Sequence, residues 1–156
     1  MKKNHLFLLI VVTIGTLDQI TKFLIEKKIG LYQKIVFAEN FFSLIHIRNR
    51  GAAFGFLADF DSRLVLAFFI VLTLIAMAAI LFLFIHLPSR QYFSEVALSL
   101  IFAGALGNFI DRVRIGEVID FLDFHWYQYH WPAFNIADSS ITVGVVLYIL
   151  SLLYSK

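Results

Sequence analysis

The chain of 156 residues contains no cysteine and has few charged residues. The lack of cysteine excludes disulfides, thiolate metal sites and a cysteine nucleophile. Charged residues make up 15% of the chain, against roughly a quarter in soluble domains. The net charge of +2 is too small and too scattered to indicate a nucleic-acid partner. Because 60% of the residues are hydrophobic, the composition predicts an integral membrane protein, with residues 1–156 as a single domain.

Four stretches are long and apolar enough to cross a membrane, which takes about 20 helical residues. The first resembles a secretory signal peptide but lacks a small-x-small cleavage site, so we expect it to be retained. Between the first two stretches, the segment of about 32–60 is rich in Ile, Val and Phe with partial alternation, which predicts strands. The predicted fold class is a mainly α membrane protein, with a small extramembrane β-sheet after the first of four transmembrane helices at about 5–25, 64–86, 94–112 and 137–154.

Counting the crossings places the polar residues of these helices toward one side of the bilayer. The first and third helices end on the side opposite the N-terminus, and the fourth helix begins there. The 32–60 segment lies on the same side, and a flap over a site there is one hypothesis for it. Intramembrane charges are costly and therefore indicate function. The residues gathered by this parity are Asp18, Lys22, Asp111, Arg112, Asp120 and Asp138.

Several of these residues have a structural interpretation. Asp18 and Lys22 are four residues apart on one helix face, a spacing that favours a structural ion pair over direct catalysis. Gly104 and Asn108 have the same spacing; a glycine lets helices approach closely, and the amide can hydrogen-bond between them. Asp111 is expected in a further structural ion pair.

Asp120 and Asp138 have no cation at helical spacing, and each follows a short apolar run. Two neighbouring carboxylates can share a proton, which provides a general base and a general acid at one site. The alternative for Asp138 is a place in the first turn of its helix, where acids are common. Asp123 is a rival for Asp120, three residues further along.

Other chemistries have weaker support in the sequence. Ser139 or Ser140 with Lys22 as base would make a Ser–Lys peptidase, but serines at a helix start are usually caps. A transporter or channel would distribute polar residues through the membrane, whereas here they gather toward one side. The histidines show no metal-ligand spacing, and the cluster "FHWYQYHWP" is typical of an interfacial aromatic belt. We therefore expect no metal and no cofactor.

Five stretches together resemble the lipoprotein signal peptidase family, the bacterial signal peptidases II, over essentially the whole chain. They are "DQITK" (18–22), "NRGAAFG" (49–55), "GALGNFIDR" (104–112), "GEVIDFLDF" (116–124) and "FNIADSSITVG" (134–144). One small departure is Ala103, where the family often has a glycine. The resemblance implies a four-helix aspartic protease of the inner membrane. Its substrates would be prolipoproteins, cut just before a cysteine that carries diacylglyceryl.

The resemblance also implies roles for individual residues. The catalytic dyad would be Asp120 and Asp138. The substrate site would be lined by Asn49, Asn108, Arg112 and Asn135, with Asp18 and Lys22 in support. The family topology implies cytoplasmic termini and an active face toward the periplasm. Charge counting alone does not decide the orientation, because Lys2 and Lys3 oppose the more basic loop that follows the first helix.

Overall fold

The computed structural model describes residues 3–51, 62–88 and 91–154. Each of the four helices in these ranges is long and apolar enough to span a membrane. A small antiparallel sheet accompanies them, so the predicted fold class is confirmed. In chain order the elements are α1 (Lys3–Lys28), β1 (Lys34–Ala38), β2 (Phe42–Asn49), α2 (Ser62–His86), α3 (Tyr92–Ile115), β3 (Val118–Trp126), β4 (Tyr129–His130) and α4 (Ile136–Tyr154).

The helices contain the four stretches expected from the sequence and start earlier than predicted. Residues 52–61, which include the end of the predicted β-rich segment and of the suggested flap, lie outside the described residues. Along α2 the large side chains are mostly exposed, with Ile75 62% and Phe82 61% accessible. Exposed apolar faces of this length match a hydrocarbon environment.

Half of the sheet comes from a part of the chain where the sequence predicts no strand. The strand order is β1-β2-β3-β4, and β3 and β4 lie between α3 and α4. Four consecutive residues of β3, Val118 to Phe121, are buried. A strand buried on both faces lacks the alternation by which a half-exposed strand is recognised. The start of β3, which carries Asp120, therefore shows no alternation of buried and exposed residues.

α3 is the central helix, and 56% of its most apolar 18-residue stretch is buried. It approaches α4 through glycines. A Cβ on Gly104 would collide with the Ala137 carbonyl, and one on Gly144 would lie 2.8 Å from the Ala97 carbonyl oxygen. The predicted close approach at Gly104 is therefore between α3 and the first turn of α4, the turn that carries Asp138.

Gly116 ends α3 and turns the chain into β3. Its φ of 78° is left-handed, and its N–H donates to the Arg112 carbonyl at 3.0 Å. Glycine adopts this conformation without the penalty that a Cβ brings. Asp120 comes four residues after this cap. The turn therefore keeps Asp120 close to the C-terminal end of α3.

Candidate active site

Asp120 is the third residue of β3 and is buried, and two side-chain amides donate to its carboxylate. Asn49 at the end of β2 donates Nδ2–H to Oδ2 at 3.0 Å, and Asn135 donates Nδ2–H to Oδ1 at 2.8 Å. The carboxylate is 3% exposed. Burial and the neighbouring Asp138 raise the pKa of Asp120 to about 7, although the two amides oppose the shift. Asp120 is therefore a carboxyl group that can hold or release a proton near neutral pH.

Asp138 stands in the first turn of α4, where it forms a capping box with Asn135. The Asn135 side-chain oxygen accepts the Asp138 N–H at 2.9 Å, and the Asp138 carboxylate accepts the Asn135 N–H at 3.1 Å. Reciprocal bonds of this kind satisfy two donors at a helix start. The other carboxylate oxygen accepts Nδ2–H of Asn108 at 2.7 Å. The helix-start interpretation and the dyad interpretation of Asp138 are therefore compatible.

Asn135 joins the two carboxylates. It is fully buried, donates to Asp120, and accepts from the backbone of Asp138. Its Nδ2 also lies 3.2 Å from both Asn108 Oδ1 and the Ile119 carbonyl. One amide thus fixes the position of Asp120 relative to the start of α4.

A second, fully buried network lies beneath the two carboxylates. Lys22 Nζ is 2.8 Å from Asp18 Oδ2 and from Asp111 Oδ2, and it donates to Asn108 Oδ1 at 3.0 Å. An ammonium has three protons, and each has an acceptor here. Lys22 is 0% exposed.

The two acids of this network also hold backbone groups. Asp18 Oδ1 accepts the Ala137 N–H at 3.0 Å, one of the free donors at the start of α4. Asp111 Oδ2 accepts the Ile119 N–H at 3.3 Å, next to Asp120. The network therefore ties α1 and α3 to the two backbone segments that carry Asp120 and Asp138.

Gln19 belongs to this network and was not identified as a functional residue from the sequence. Its Nε2 lies 3.2 Å from Asp18 Oδ2, 3.1 Å from Asp111 Oδ1 and 3.2 Å from the Gly107 carbonyl. The signal that the sequence offers is its place inside "DQITK", between Asp18 and Lys22.

Arg112 lies further out than the network. It donates to the Asn108 carbonyl at 3.5 Å, and its guanidinium lies 5.2 Å from the centre of the Phe69 ring. Its Nε is buried and has no hydrogen-bond partner within the described parts of the chain. Arg112 therefore retains donor capacity near Asp138 and Asp120.

The rival residues are engaged elsewhere. The Ser139 hydroxyl donates to the Asn135 carbonyl at 2.9 Å, and the Ser140 hydroxyl donates to the Leu100 carbonyl at 2.7 Å. The proton donors of Lys22 are occupied as described above, so no Ser–Lys pair is formed. Asp123 lies 2.7 Å from His130 Nδ1 and belongs to a different cluster.

The chain is similar to known proteins over most of its length. The model of the family described as signal peptidase (SPase) II matches residues 9–154. A lipoprotein signal peptidase of Geobacter metallireducens is 51% identical over 98% of this chain and 94% of its own length. The protein of the same name from Geobacter sulfurreducens is 56% identical over 84% of this chain and 81% of its own length.

Two solved structures, both described as bacterial membrane enzymes, share the fold. One has a TM-score of 0.84 and 41% identity, covering 96% of this chain and 94% of its own. The other has a TM-score of 0.83 and 42% identity, covering 94% and 87%. The family model covers nearly the whole chain, and the relatives are lipoprotein signal peptidases. The chain therefore belongs to the signal peptidase II family, and with its four membrane-spanning helices it is a membrane peptidase.

Proposed function

We propose that the protein is an aspartic endopeptidase that removes signal peptides from diacylglyceryl-modified prolipoproteins, cutting N-terminal to the lipid-modified cysteine. Asp120 and Asp138 are its catalytic dyad. The observation that carries the proposal is the bonding of Asn135 to both acids: it donates to the Asp120 carboxylate and pairs reciprocally with Asp138. The relatives named lipoprotein signal peptidase supply the substrate class.

In the proposed reaction Asp138 is the ionised member and Asp120 the protonated one. The start of α4 favours an anion on Asp138, and Asn108 and the Asn135 backbone both donate to it. Asp120, with its pKa raised to about 7, keeps a proton near neutral pH. Asp138 removes a proton from water as the water attacks the peptide carbonyl, and Asp120 protonates the carbonyl oxygen. The resulting gem-diol collapses as its C–N bond breaks: Asp138 gives its proton to the leaving nitrogen, and Asp120 takes a proton back from one hydroxyl of the gem-diol.

The substrate contacts are assigned to Asn49, Asn108, Arg112 and Asn135. The side-chain amides of the three asparagines already donate to the carboxylates of Asp120 and Asp138. Any contact with substrate must therefore use the same amides. Arg112 has a buried Nε with no partner among the described residues, and its planar donors suit the oxygens of a carbonyl or a lipid ester. Arg112→Ala should therefore raise KM for the lipidated substrate more than it lowers kcat. An equal effect on a substrate without lipid would place the contact on the peptide instead.

The proposed location is the bacterial inner membrane, with the active site toward the periplasm and both termini in the cytoplasm. Because the chain has no cysteine, single cysteines are specific labels. Lys34 in β1 and Tyr154 at the end of α4 are both exposed, so Lys34→Cys and Tyr154→Cys place a label on each side of the membrane. A maleimide that does not cross the inner membrane should label Lys34→Cys in intact cells and Tyr154→Cys only after lysis. The reverse pattern would invert the orientation.

The experiment that tests the substrate is a cleavage assay with purified protein in detergent. Two versions of one prolipoprotein segment are compared, with and without diacylglyceryl on the cysteine. Cleavage of the lipidated segment alone, with the new N-terminus at the modified cysteine, is expected. Equal cleavage of both segments would contradict the lipid requirement, and a different new N-terminus would contradict the proposed cleavage site.

A further inference from the structure

Three potential metal ligands meet on the hairpin of β3 and β4. Asp123, His125 and His130 each offer one ligand atom, and these atoms all lie within 4.8 Å of one another. Asp123 and His125 are two residues apart on β3 and therefore point to the same face. His130 is the direct partner of His125 across the hairpin. Strand pairing therefore brings His125 and His130 together, although their spacing along the chain does not predict a metal site.

The cluster contains polar atoms that have no hydrogen-bond partner among the residues described by the structure. Asp123 is 4% exposed, with His130 Nδ1 lying 2.7 Å from its Oδ1. The Nδ1 of His125 is buried and has no hydrogen-bond partner in the described part of the chain. The same holds for the hydroxyl of Ser43, which is 0% exposed and pairs directly with Asp123 in the sheet. Buried polar atoms without hydrogen-bond partners destabilise a fold, so two of them beside a buried carboxylate indicate a ligand.

This cluster is separate from the catalytic dyad. Asp120 and Asp123 are three residues apart on one strand, so their side chains point to opposite faces. Asp120 contacts Asn49 and Asn135, whereas Asp123 contacts His130. A ligand on Asp123 therefore does not replace any contact of the dyad.

We propose that Asp123, His125 and His130 bind a divalent transition-metal ion, for which Zn²⁺ is the best match. Two imidazoles and one carboxylate are a usual zinc donor set, with a fourth position left for water. Ligand distances of about 2.0 to 2.2 Å in a tetrahedron put the ligand atoms about 3.4 Å apart. The present spread of at most 4.8 Å closes to that value by side-chain rotation.

The bound ion has a structural role. It crosslinks β3 to β4 across a hairpin of two paired residue positions. The hairpin and the segment after it carry exposed aromatic rings, with Trp126 67%, Tyr129 72% and Trp131 69% accessible. Such rings are typical of a membrane interface. The metal therefore fixes an aromatic rim at the side of the membrane that holds the active site.

The test uses the full-length protein in detergent, purified on a tag without histidine and stripped of metal. Titration with Zn²⁺ by calorimetry, and with Co²⁺ by absorption, should give one ion per chain and the d–d bands of a tetrahedral site. Because His130 is half-exposed, His130→Ala should leave the fold intact. His130→Ala, His125→Ala and Asp123→Asn should each weaken binding by at least about tenfold.

The matched control is His86→Ala. His86 closes α2 and bonds the Phe82 carbonyl of its own helix, so this variant should bind the ion as the wild type does. Saturating Zn²⁺ should also raise the thermal midpoint of the wild type and of His86→Ala, but not that of His130→Ala. If the wild type binds no stoichiometric ion, or if His130→Ala binds it equally well, the cluster is only an Asp–His hydrogen bond and the proposal is wrong.

Discussion

Asn135 shows at the scale of one residue why the site uses an amide. Its oxygen caps α4 by accepting the Asp138 N–H, and its nitrogen donates to Asp120. Serine and aspartate are equally good caps. Only an asparagine offers an acceptor and an NH₂ donor at the two ends of one short, planar group. The same side chain therefore caps the helix and holds Asp120 relative to Asp138.

The pKa of Asp120 predicts how activity depends on pH. The group is protonated below a pH of about 7 and ionised above it, so kcat/KM should fall as the pH rises through this value. Asn49 donates to the carboxylate and holds its pKa down. Asn49→Ala should therefore move the fall to a higher pH, because the ionised form loses a donor. Identical midpoints in the pH profiles of the two proteins would contradict the assignment of this proton to Asp120.

The same pKa predicts how stability depends on pH. An unfolded aspartic acid ionises at about 3.9, below the value of about 7 in the folded protein. Between these values the folded chain binds more protons, so a rise in pH favours unfolding. From pH 5 to pH 8.5 the thermal midpoint of the wild type should fall relative to that of Asp120→Asn, by several degrees, since about 1 kcal/mol corresponds to about 2 to 4 °C in a chain of this size. A constant difference between the two midpoints would show that this carboxyl is not perturbed.

Lys22 is the residue on which the buried charges depend. Its removal would leave Asp18 and Asp111 without a cation, although both are almost fully buried. Breaking one partner of a buried ion pair costs about 3 to 5 kcal/mol. Lys22→Met should therefore lower the thermal midpoint strongly, whereas the matched change Lys27→Met, at an exposed position of the same helix, should not. Equal midpoints for the two variants would show that the network is dispensable.

At the scale of elements, the contact between α3 and α4 depends on glycine. A Cβ at Gly104 would collide with the backbone of Ala137, which cannot move away without shifting the first turn of α4. Gly104→Ala should destabilise the protein by about 1 to 3 kcal/mol and lower cleavage, because Asp138 moves with that turn.

Gly15 provides the matched control for this prediction. It lies within α1, and nothing is within 4 Å of the position where its Cβ would be. Gly15→Ala should be neutral, or stabilising by up to about 1 kcal/mol, since alanine is the better helix former. Thermal unfolding of both variants in the same detergent is the measurement. If Gly104→Ala is as stable as Gly15→Ala, α3 and α4 are not held by close approach at this position.

The elements also show what the sequence could predict. Four apolar stretches gave the helices, since membrane spans are set by length and hydropathy alone. β3 was missed because it is buried on both faces, so its residues do not alternate. The strand pairing β2–β3, which brings Asn49 to Asp120, joins residues 71 positions apart. No local pattern in the sequence encodes such a pairing.

At the scale of the whole molecule, counting the crossings predicted which side of the membrane holds the polar residues but not which of them touch. The structure brings Lys22 to Asp18, Asp111 and Asn108, and Asn135 to Asp120 and Asp138. The ion pair of Asp18 and Lys22 could be predicted from helical spacing. The contacts of Asn108 with both Lys22 and Asp138, and of Asn135 with both Asp120 and Asp138, could not be predicted, because they depend on how α3, β3 and α4 meet.

The central claim is that Asp120 and Asp138 together perform the hydrolysis. The most direct measurement is cleavage of a diacylglyceryl-modified prolipoprotein segment by purified wild type, Asp120→Asn, Asp138→Asn and Ser139→Ala, with thermal unfolding of each protein as the control for folding. Both aspartate variants should lose cleavage by at least about 10³-fold while remaining folded, and Ser139→Ala should retain it. Substantial cleavage by either folded aspartate variant would contradict the dyad.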